Sequence, residues 1–365
     1  MINLSFFPSR PIALYMARLF VTRSLAVLAM LVVVLMTLDL LGNSGEILAV
    51  AGNGDAELWR YVGLRLPQLV NRFLPFSVLL GALITLVALN QNSEIVSMKA
   101  AGISAHQIIA PLILAASLFA LVHFVFNERI VTRANAALGA WEAADWGPVP
   151  PGSDIQTNVS LAHGDDLIFV RQVSGRGESV RLAGISIYER TGGTLTRITQ
   201  AEAGRHSGDG WALTGVTRFD LETGQQTEAP ALAFGPDITT DQFTLARVNP
   251  DQQDFMTLRR SIAELRAADR PVDSLQANLW RKIAAPMSSI LMPLLGAIAA
   301  FGLARSGQVF ARAVIGMALG FVYFVADNFA LAMGNFGAYP PFLAAWGPFL
   351  LFALVGEAVL IRTEE

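Results

Sequence analysis

Hydropathy along the chain alternates on a coarse scale. Three long apolar stretches, at about residues 19–41, 66–89 and 108–126, precede a long segment of different character, and three more follow it at about 283–303, 313–333 and 342–361. The hydrocarbon core of a bilayer, about 30 Å thick, takes roughly 20 apolar residues as a helix. Each stretch therefore predicts a membrane span, six in all. In the intervening segment the apolar positions fall into short β-branched or aromatic runs: Ile168-Phe169-Val170, Gly184-Ile185-Ser186-Ile187-Tyr188-Glu189 and Trp211-Ala212-Leu213-Thr214-Gly215-Val216. Turn residues separate them, at Gly192-Gly193, Gly208-Asp209-Gly210 and Thr223-Gly224, which is the pattern of an antiparallel sandwich or jelly roll. Pro148-Val149-Pro150-Pro151-Gly152 reads as the linker into it. Leu258, Ile262 and Leu265 share one face of an amphipathic helix that Thr257 would cap and that ends before Pro271. That helix suits the membrane surface or the β-domain equally. The expected fold is a membrane α-helical bundle with an inserted all-β domain, divided as 1–127, 128–276 and 277–365.

Composition narrows the function. The chain is 53% hydrophobic and only 15% charged, where a soluble domain carries about a quarter charged residues. A net charge of −3 speaks against a nucleic-acid partner. Cysteine is absent and the histidines lie scattered at 106, 123, 163 and 206, so no metal site and no thiolate chemistry are expected. Neither lysine, Lys99 nor Lys282, follows a glycine. A phosphate-binding loop needs Gly-Lys-Ser/Thr, so this chain cannot hydrolyse ATP through one. If ATP drives its work, another subunit binds the nucleotide and magnesium, and this chain holds no cofactor. No H-E-x-x-H or G-x-S-x-G sequence occurs, and Ser117 and His123, six residues apart in one span, fall on different faces. No catalytic residue is expected. Ala49-Val50-Ala51 imitates a signal-peptide cleavage site but lies beyond Asp39 and Glu46, so the first span reads as a retained helix.

Arg10, Arg18 and Arg23 before span one, Lys99 between spans two and three, Arg305 and Arg312 between spans four and five, and Arg362 after span six alternate consistently. By the positive-inside rule both termini are cytoplasmic and the insert lies outside. Arg60, Arg65, Arg72, Arg129, Arg133, Arg281 and Lys282 break the rule near the outer ends of spans. They are either snorkelling side chains or a cationic ring that attracts an anionic lipid headgroup. Asp39 and Asp327, toward outer ends, and Glu357, near the inner end of span six, are helix-packing partners or, for Asp39 and Asp327, gate residues. Pro67, Pro75, Pro286 and Pro293 predict kinks. Gly316 and Gly320 predict close helix approach.

The segment from Asn92 to Ser104 between spans two and three predicts a helix of about two turns. Ser93 would cap it, Glu94 would occupy its first turn, and Gly102 would close it. Ile95, Met98 and Ala101 or Gly102 would form an exposed apolar face, for a partner protein or for lipid. Taken together, this segment, Leu79-Leu80-Gly81, Gly184-Ile185-Ser186-Ile187-Tyr188, Asn278-Leu279-Trp280-Arg281-Lys282-Ile283-Ala284-Ala285-Pro286 and Gly320-Phe321-Val322-Tyr323-Phe324-Val325-Ala326-Asp327 resemble the permease subunits of the lipopolysaccharide-export ABC transporter. The likeness covers nearly the whole chain. It is nearer the G-type permease than its F-type paralogue, whose equivalent segment usually reads Arg-Glu-Ile and Arg-Ala-Ser-Gly.

The resemblance implies a six-span inner-membrane protein of a Gram-negative bacterium with a periplasmic β-jelly-roll. Its implied partners are an F-type permease, a cytoplasmic ABC ATPase dimer, a periplasmic bridge or single-span accessory protein, and lipopolysaccharide itself. In that family the helix between spans two and three docks in a groove of the ATPase, and Glu94 matches its coupling acid. Family members often carry lysines near the outer end of span one. Residues Thr37 to Ser44 here contain no cation. Two other classes fit the composition: a sensor or scaffold with a periplasmic ligand-binding domain, and a lipoprotein-release permease. The short cytoplasmic loops argue against the first. The second usually places its insert after the first span rather than the third.

Overall fold

The computed structural model describes residues 7–148, 156–175, 180–207, 210–235, 238, 240, 243, 248–267, 270–301 and 309–362. Helix α1 (Arg10–Ala49) is followed by α2 (Asp55–Gln91), the short α3 (Glu94–Ala100) and α4 (Ala105–Phe126). A π-helical turn (Asn127–Val131) joins α4 to α5 (Thr132–Ala143). Six strands come next: β1 (Gln156–His163), β2 (Asp166–Ser174), β3 (Arg181–Thr191), β4 (Thr194–Ser207), β5 (Gly210–Asp220) and β6 (Gln226–Phe234). The chain then passes through a 3-10 turn (Pro250–Gln252) into α6 (Phe255–Ala267), α7 (Asp273–Phe301), α8 (Val309–Asn335) and α9 (Pro341–Arg362). Linker residues 149–152, the turn residues Gly208 and Asp209, and the loop cation Arg305 lie outside the described residues.

Among the described residues six helices are long and apolar enough to cross a membrane: α1, α2, the continuous rod Ala105–Ala143, α7, α8 and α9. The first three comprise 40, 37 and 39 residues. At about 1.5 Å per residue each is far longer than a hydrocarbon core of about 30 Å. Because the spans alternate, both termini and α3 share one end of the set, the terminal end. The chain leaves for the insert and returns from it at the other, the insert end.

Two compact units result, one holding most of the spans and the other, Gly45–Gly54 with Asn135–Asn249, holding the sheet. In the helical unit α7 is central and packs against α2, α4, α8 and α9. Val78, Leu79, Ala82 and Leu86 of α2, Ile108, Ile109 and Leu112 of α4, and Leu291, Leu295 and Ala299 of α7 form its buried core. Small residues set the spacing, as expected for Gly316 and Gly320. A Cβ at Gly320 would lie 2.0 Å from Leu79 Cδ2, and one at Gly316 2.4 Å from Leu83 Cδ2. Gly81 meets α1 in the same way, with Ser24 Oγ 2.0 Å from where its Cβ would be.

The described strands form one antiparallel sheet in chain order, with β1 and β6 at its edges. Hairpins explain that order. Gly192 and Gly193, at φ +59° and +83°, make the two-residue turn between Thr191 and Thr194 that the right-handed strand twist favours. Alternation buries Ile168 and Val170 of β2, Ile185 and Ile187 of β3, and Trp211 and Leu213 of β5 in one apolar core. Trp211 Nε1 donates to the Ile238 carbonyl at 2.9 Å, and its ring meets Phe243 edge-on at 5.0 Å. The sheet thus has an inner face that is apolar and filled by side chains. The sequence pattern suggested a sandwich or jelly roll. Among the described strands each pairs with its neighbour in sequence, which is the order of a meander.

Candidate functional site

At the terminal end the connector between spans two and three is the helix α3, but its faces differ from expectation. Ser93 stands at the cap position at φ 60° and makes no side-chain cap bond. Instead its carbonyl accepts from Ser97 Oγ at 3.0 Å. The closing side follows the sequence reading. Gly102, at φ +83°, donates to Lys99 O at 2.9 Å, and Ile103 donates to Met98 O at 3.0 Å, the paired bonds of a Schellman ending. Ser104 then opens α4 with a reciprocal capping box to Gln107.

Ile95 is buried, and Met98 and Ile103 pack against the helical core. The expectation that Ile95 and Met98 are exposed is therefore corrected. Seven residues are too few for a helix to stand alone, so α3 is held by its apolar face and leaves its other side uncovered. That side carries Val96, Ser97, Ala100 and Ala101, all exposed, with Glu94 half-buried beside them. Glu94 Oε1 accepts from Tyr15 Oη of α1 and from Asn92 Nδ2, each at 3.3 Å. Lys99 Nζ lies 5.3 Å from the Phe301 ring centre of α7. Also at this end, His106 Nε2 of α4 lies 2.8 Å from Glu357 Oε1 of α9.

At the insert end the candidate cations divide into two sets. Arg65 of α2 grips Asp39 of α1 with both arms, Nε to Oδ2 at 3.1 Å and Nη2 to Oδ1 at 2.9 Å. Tyr61 Oη donates to the same carboxylate at 2.5 Å, and Arg65 Nη1 donates to Gln68 Oε1. Arg281 of α7 pairs with Asp327 of α8 at 3.0 Å and reaches Asn328 Oδ1 at 3.3 Å. Lys282 Nζ lies 3.5 Å from Glu128 Oε1. Each acid singled out as a gate is thus the partner of a cation singled out for headgroups. Arg72, Arg129 and Arg133 are exposed and have no ion-pair partner among the described residues.

Some partners had no sequence signal. Tyr61 and Arg65 reach Asp39 across 22 and 26 residues, and Tyr15 reaches Glu94 across 79. His123, buried in α4, meets Asn71 Oδ1 of α2 at 2.8 Å. Ser117 bonds its own helix at Ile113 O, so these two residues form no catalytic pair. The expected cap of α6 also moves. Thr257 is not the cap, because its amide donates to Asp254 Oδ1 at 2.8 Å. This bond is the first cause holding the Asp254 carboxyl below its ordinary value, and Lys282 adds to it from nearby.

The family described as "Lipopolysaccharide export system permease LptF/LptG" matches residues 14–362. The chain is similar to the Lipopolysaccharide export system permease protein LptG of Escherichia coli strain K12, 27% identical over 311 residues that cover 83% of this chain and 84% of that protein. It resembles the protein of the same name from Haemophilus influenzae strain KW20, 27% identical over 333 residues covering 86% and 89% of the two chains. Six spans, a β-domain inserted after the third, and this match along nearly the whole length lead to one assignment: the chain belongs to the LptF/LptG family of lipopolysaccharide export permeases.

Proposed function

We propose that this chain takes lipopolysaccharide from the outer leaflet of the inner membrane and passes it, through its inserted sheet, toward the outer membrane. The observation that carries this reading is the joining of six spans to a sheet with an apolar inner face, with three exposed arginines, Arg72, Arg129 and Arg133, at the insert end. Orientation follows the positive-inside pattern: both termini and α3 are cytoplasmic and the sheet is periplasmic. Lipid phosphates bind the exposed arginines, while Arg65, Arg281 and Lys282 hold helices together. Moving acyl chains out of a bilayer costs about 0.8 kcal/mol per CH₂, so a lipid with several chains needs an apolar route as well as an energy source.

That source is a separate ATPase dimer, which supplies the nucleotide and magnesium chemistry. It docks on the exposed side of α3, where Glu94 pairs with a basic groove. Tyr15 and Lys99 link α3 to α1 and α7, so tilting α3 pulls on two spans. A paralogous F-type permease completes the cavity, and a periplasmic bridge or single-span accessory protein receives the lipid.

Mild-detergent purification of the chain, with mass spectrometry of co-purifying proteins and lipids, tests this reading. A P-loop ATPase, a permease of similar size and lipopolysaccharide are the expected companions. Recovery with lipoproteins and without lipopolysaccharide would overturn it.

A further inference from the structure

The chain leaves the spans once and returns once, through the π turn Asn127–Val131 and through the turn Pro250–Gln252 that leads into α6. Both crossings meet at one carboxylate. Glu128 Oε2 accepts from the backbone N–H of Phe255, the first residue of α6, at 2.5 Å. Its other oxygen, Oε1, lies 3.5 Å from Lys282 Nζ of α7, with Lys282 8% and Glu128 13% exposed. The Glu128 carbonyl accepts from Thr132 Oγ1 at 3.0 Å. Glu128 and Phe255 are 127 residues apart, so this single side chain closes a loop that contains all six strands.

Charges withdrawn this far from solvent are retained at a cost unless they are paired. A carboxylate is also well placed at a helix start, where backbone N–H groups are unsatisfied and the macrodipole favours negative charge. Glu128 supplies both needs at once: an acceptor for α6 and a counter-charge for α7. Its place in a π turn is consistent with this role, since such turns occur often at functional positions. Lys282 has no exposed ammonium to offer a lipid phosphate, which would first have to displace Glu128.

We propose that Glu128 and Lys282 are a positioning pair that fastens both crossings, the end of span three and the start of α6, to span four, so that the points where the chain leaves the spans and returns to them move together with α7. The proposal rests on the permease reading, in which lipid must pass from spans to sheet.

The test uses the full chain in its purified transporter, reconstituted in liposomes containing lipopolysaccharide. A photo-reactive residue is placed at Leu38 in α1, or at Leu232 in β6, to capture lipid at each stage. Glu128→Gln keeps an acceptor for Phe255 and removes the charge, and Lys282→Met removes the opposite charge. Either single substitution is expected to lower ATP-dependent labelling at Leu232 about tenfold, with labelling at Leu38 unchanged, because it leaves a buried charge without its partner. The double variant E128Q/K282M is expected to restore labelling at Leu232. If a single variant fails to assemble, the same recovery is read from the yield of assembled transporter.

Loss of labelling at Leu38 in K282M but not in E128Q would overturn the proposal and return Lys282 to the headgroup role. A double variant no better than the singles, or singles with normal labelling at Leu232, would overturn it as well. No ATP-dependent labelling at either position in the unsubstituted chain would sink the permease reading itself, and the proposal with it.

Discussion

An arginine's value to a ligand depends on what already holds it. Arg65 and Arg281 are bound by carboxylates, so their removal leaves Asp39 and Asp327 without a cation in low-dielectric surroundings. Breaking such pairs is strongly destabilising where they are buried. Arg65→Ala and Arg281→Ala are therefore expected to lower the thermal unfolding temperature of the purified protein more than they weaken lipopolysaccharide binding. Arg72→Ala, Arg129→Ala and Arg133→Ala should do the reverse, each weakening binding by about threefold to tenfold in a titration at low salt. Binding by the unsubstituted chain should weaken as salt is raised. Glu94→Ala should leave lipid binding intact and lower lipopolysaccharide release per ATP hydrolysed, and normal release would remove Glu94 from the coupling role. At this scale the sequence was a partial guide. It supplied the chemical types, but which cation meets which acid depends on the packing of α1 on α2 and of α7 on α8, and no local spacing encodes that.

Elements were more legible where backbone chemistry is local. Gly102 announced the end of α3, because a helix that turns back at once into α4 needs a residue at positive φ. Gly102→Ala, at φ +83°, is expected to cost about 1 kcal/mol and to raise hydrogen exchange through α3. Ser93 misled, since the same preference that favours serine at caps also suits it to tight turns, and here it occupies the left-handed region. Ile95 and Met98 were correctly read as one apolar stripe, but amphipathic spacing does not say which partner covers it. For α6 the capping carboxylate is Asp254, and the consequence for pH has a definite sign. Its folded value is depressed, first by the Thr257 amide. The stability it contributes is therefore present above the ordinary aspartate range and is lost as pH falls through the folded value. Asp254→Asn should flatten that acid limb in a pH series of unfolding, lowering stability at neutral pH and converging with the unsubstituted chain in acid.

For the whole molecule, the division into three spans, an inserted sheet and three spans could be read from hydropathy, because about 20 apolar residues in sequence admit few alternatives. The lengths of the rods were less accessible. Apolar content marks only the part within lipid, whereas α1, α2 and Ala105–Ala143 run well past it through polar sequence that is helical by context. Close packing depends on absent side chains as much as on present ones. Gly320→Leu is expected to separate α8 from α2, where even a Cβ would lie 2.0 Å from Leu79. Overpacking of this kind costs about 1–3 kcal/mol, and a drop in detergent-solubilised thermal stability would report it.

The π turn at Asn127–Val131 also sets a phase. A helix advances about 100° per residue, and a wide turn absorbs one residue that a regular helix would have used to rotate the next segment. Deleting a single residue there would let α4 and α5 join as one uniform helix with α5 facing as it does now, whereas deleting a second would turn α5 by about 100°. Buried Val131, Ala134 and Leu138 would then turn from their contacts. The turn is a spare residue held in the rod, so the loss of one residue there should be tolerated far better than the loss of two.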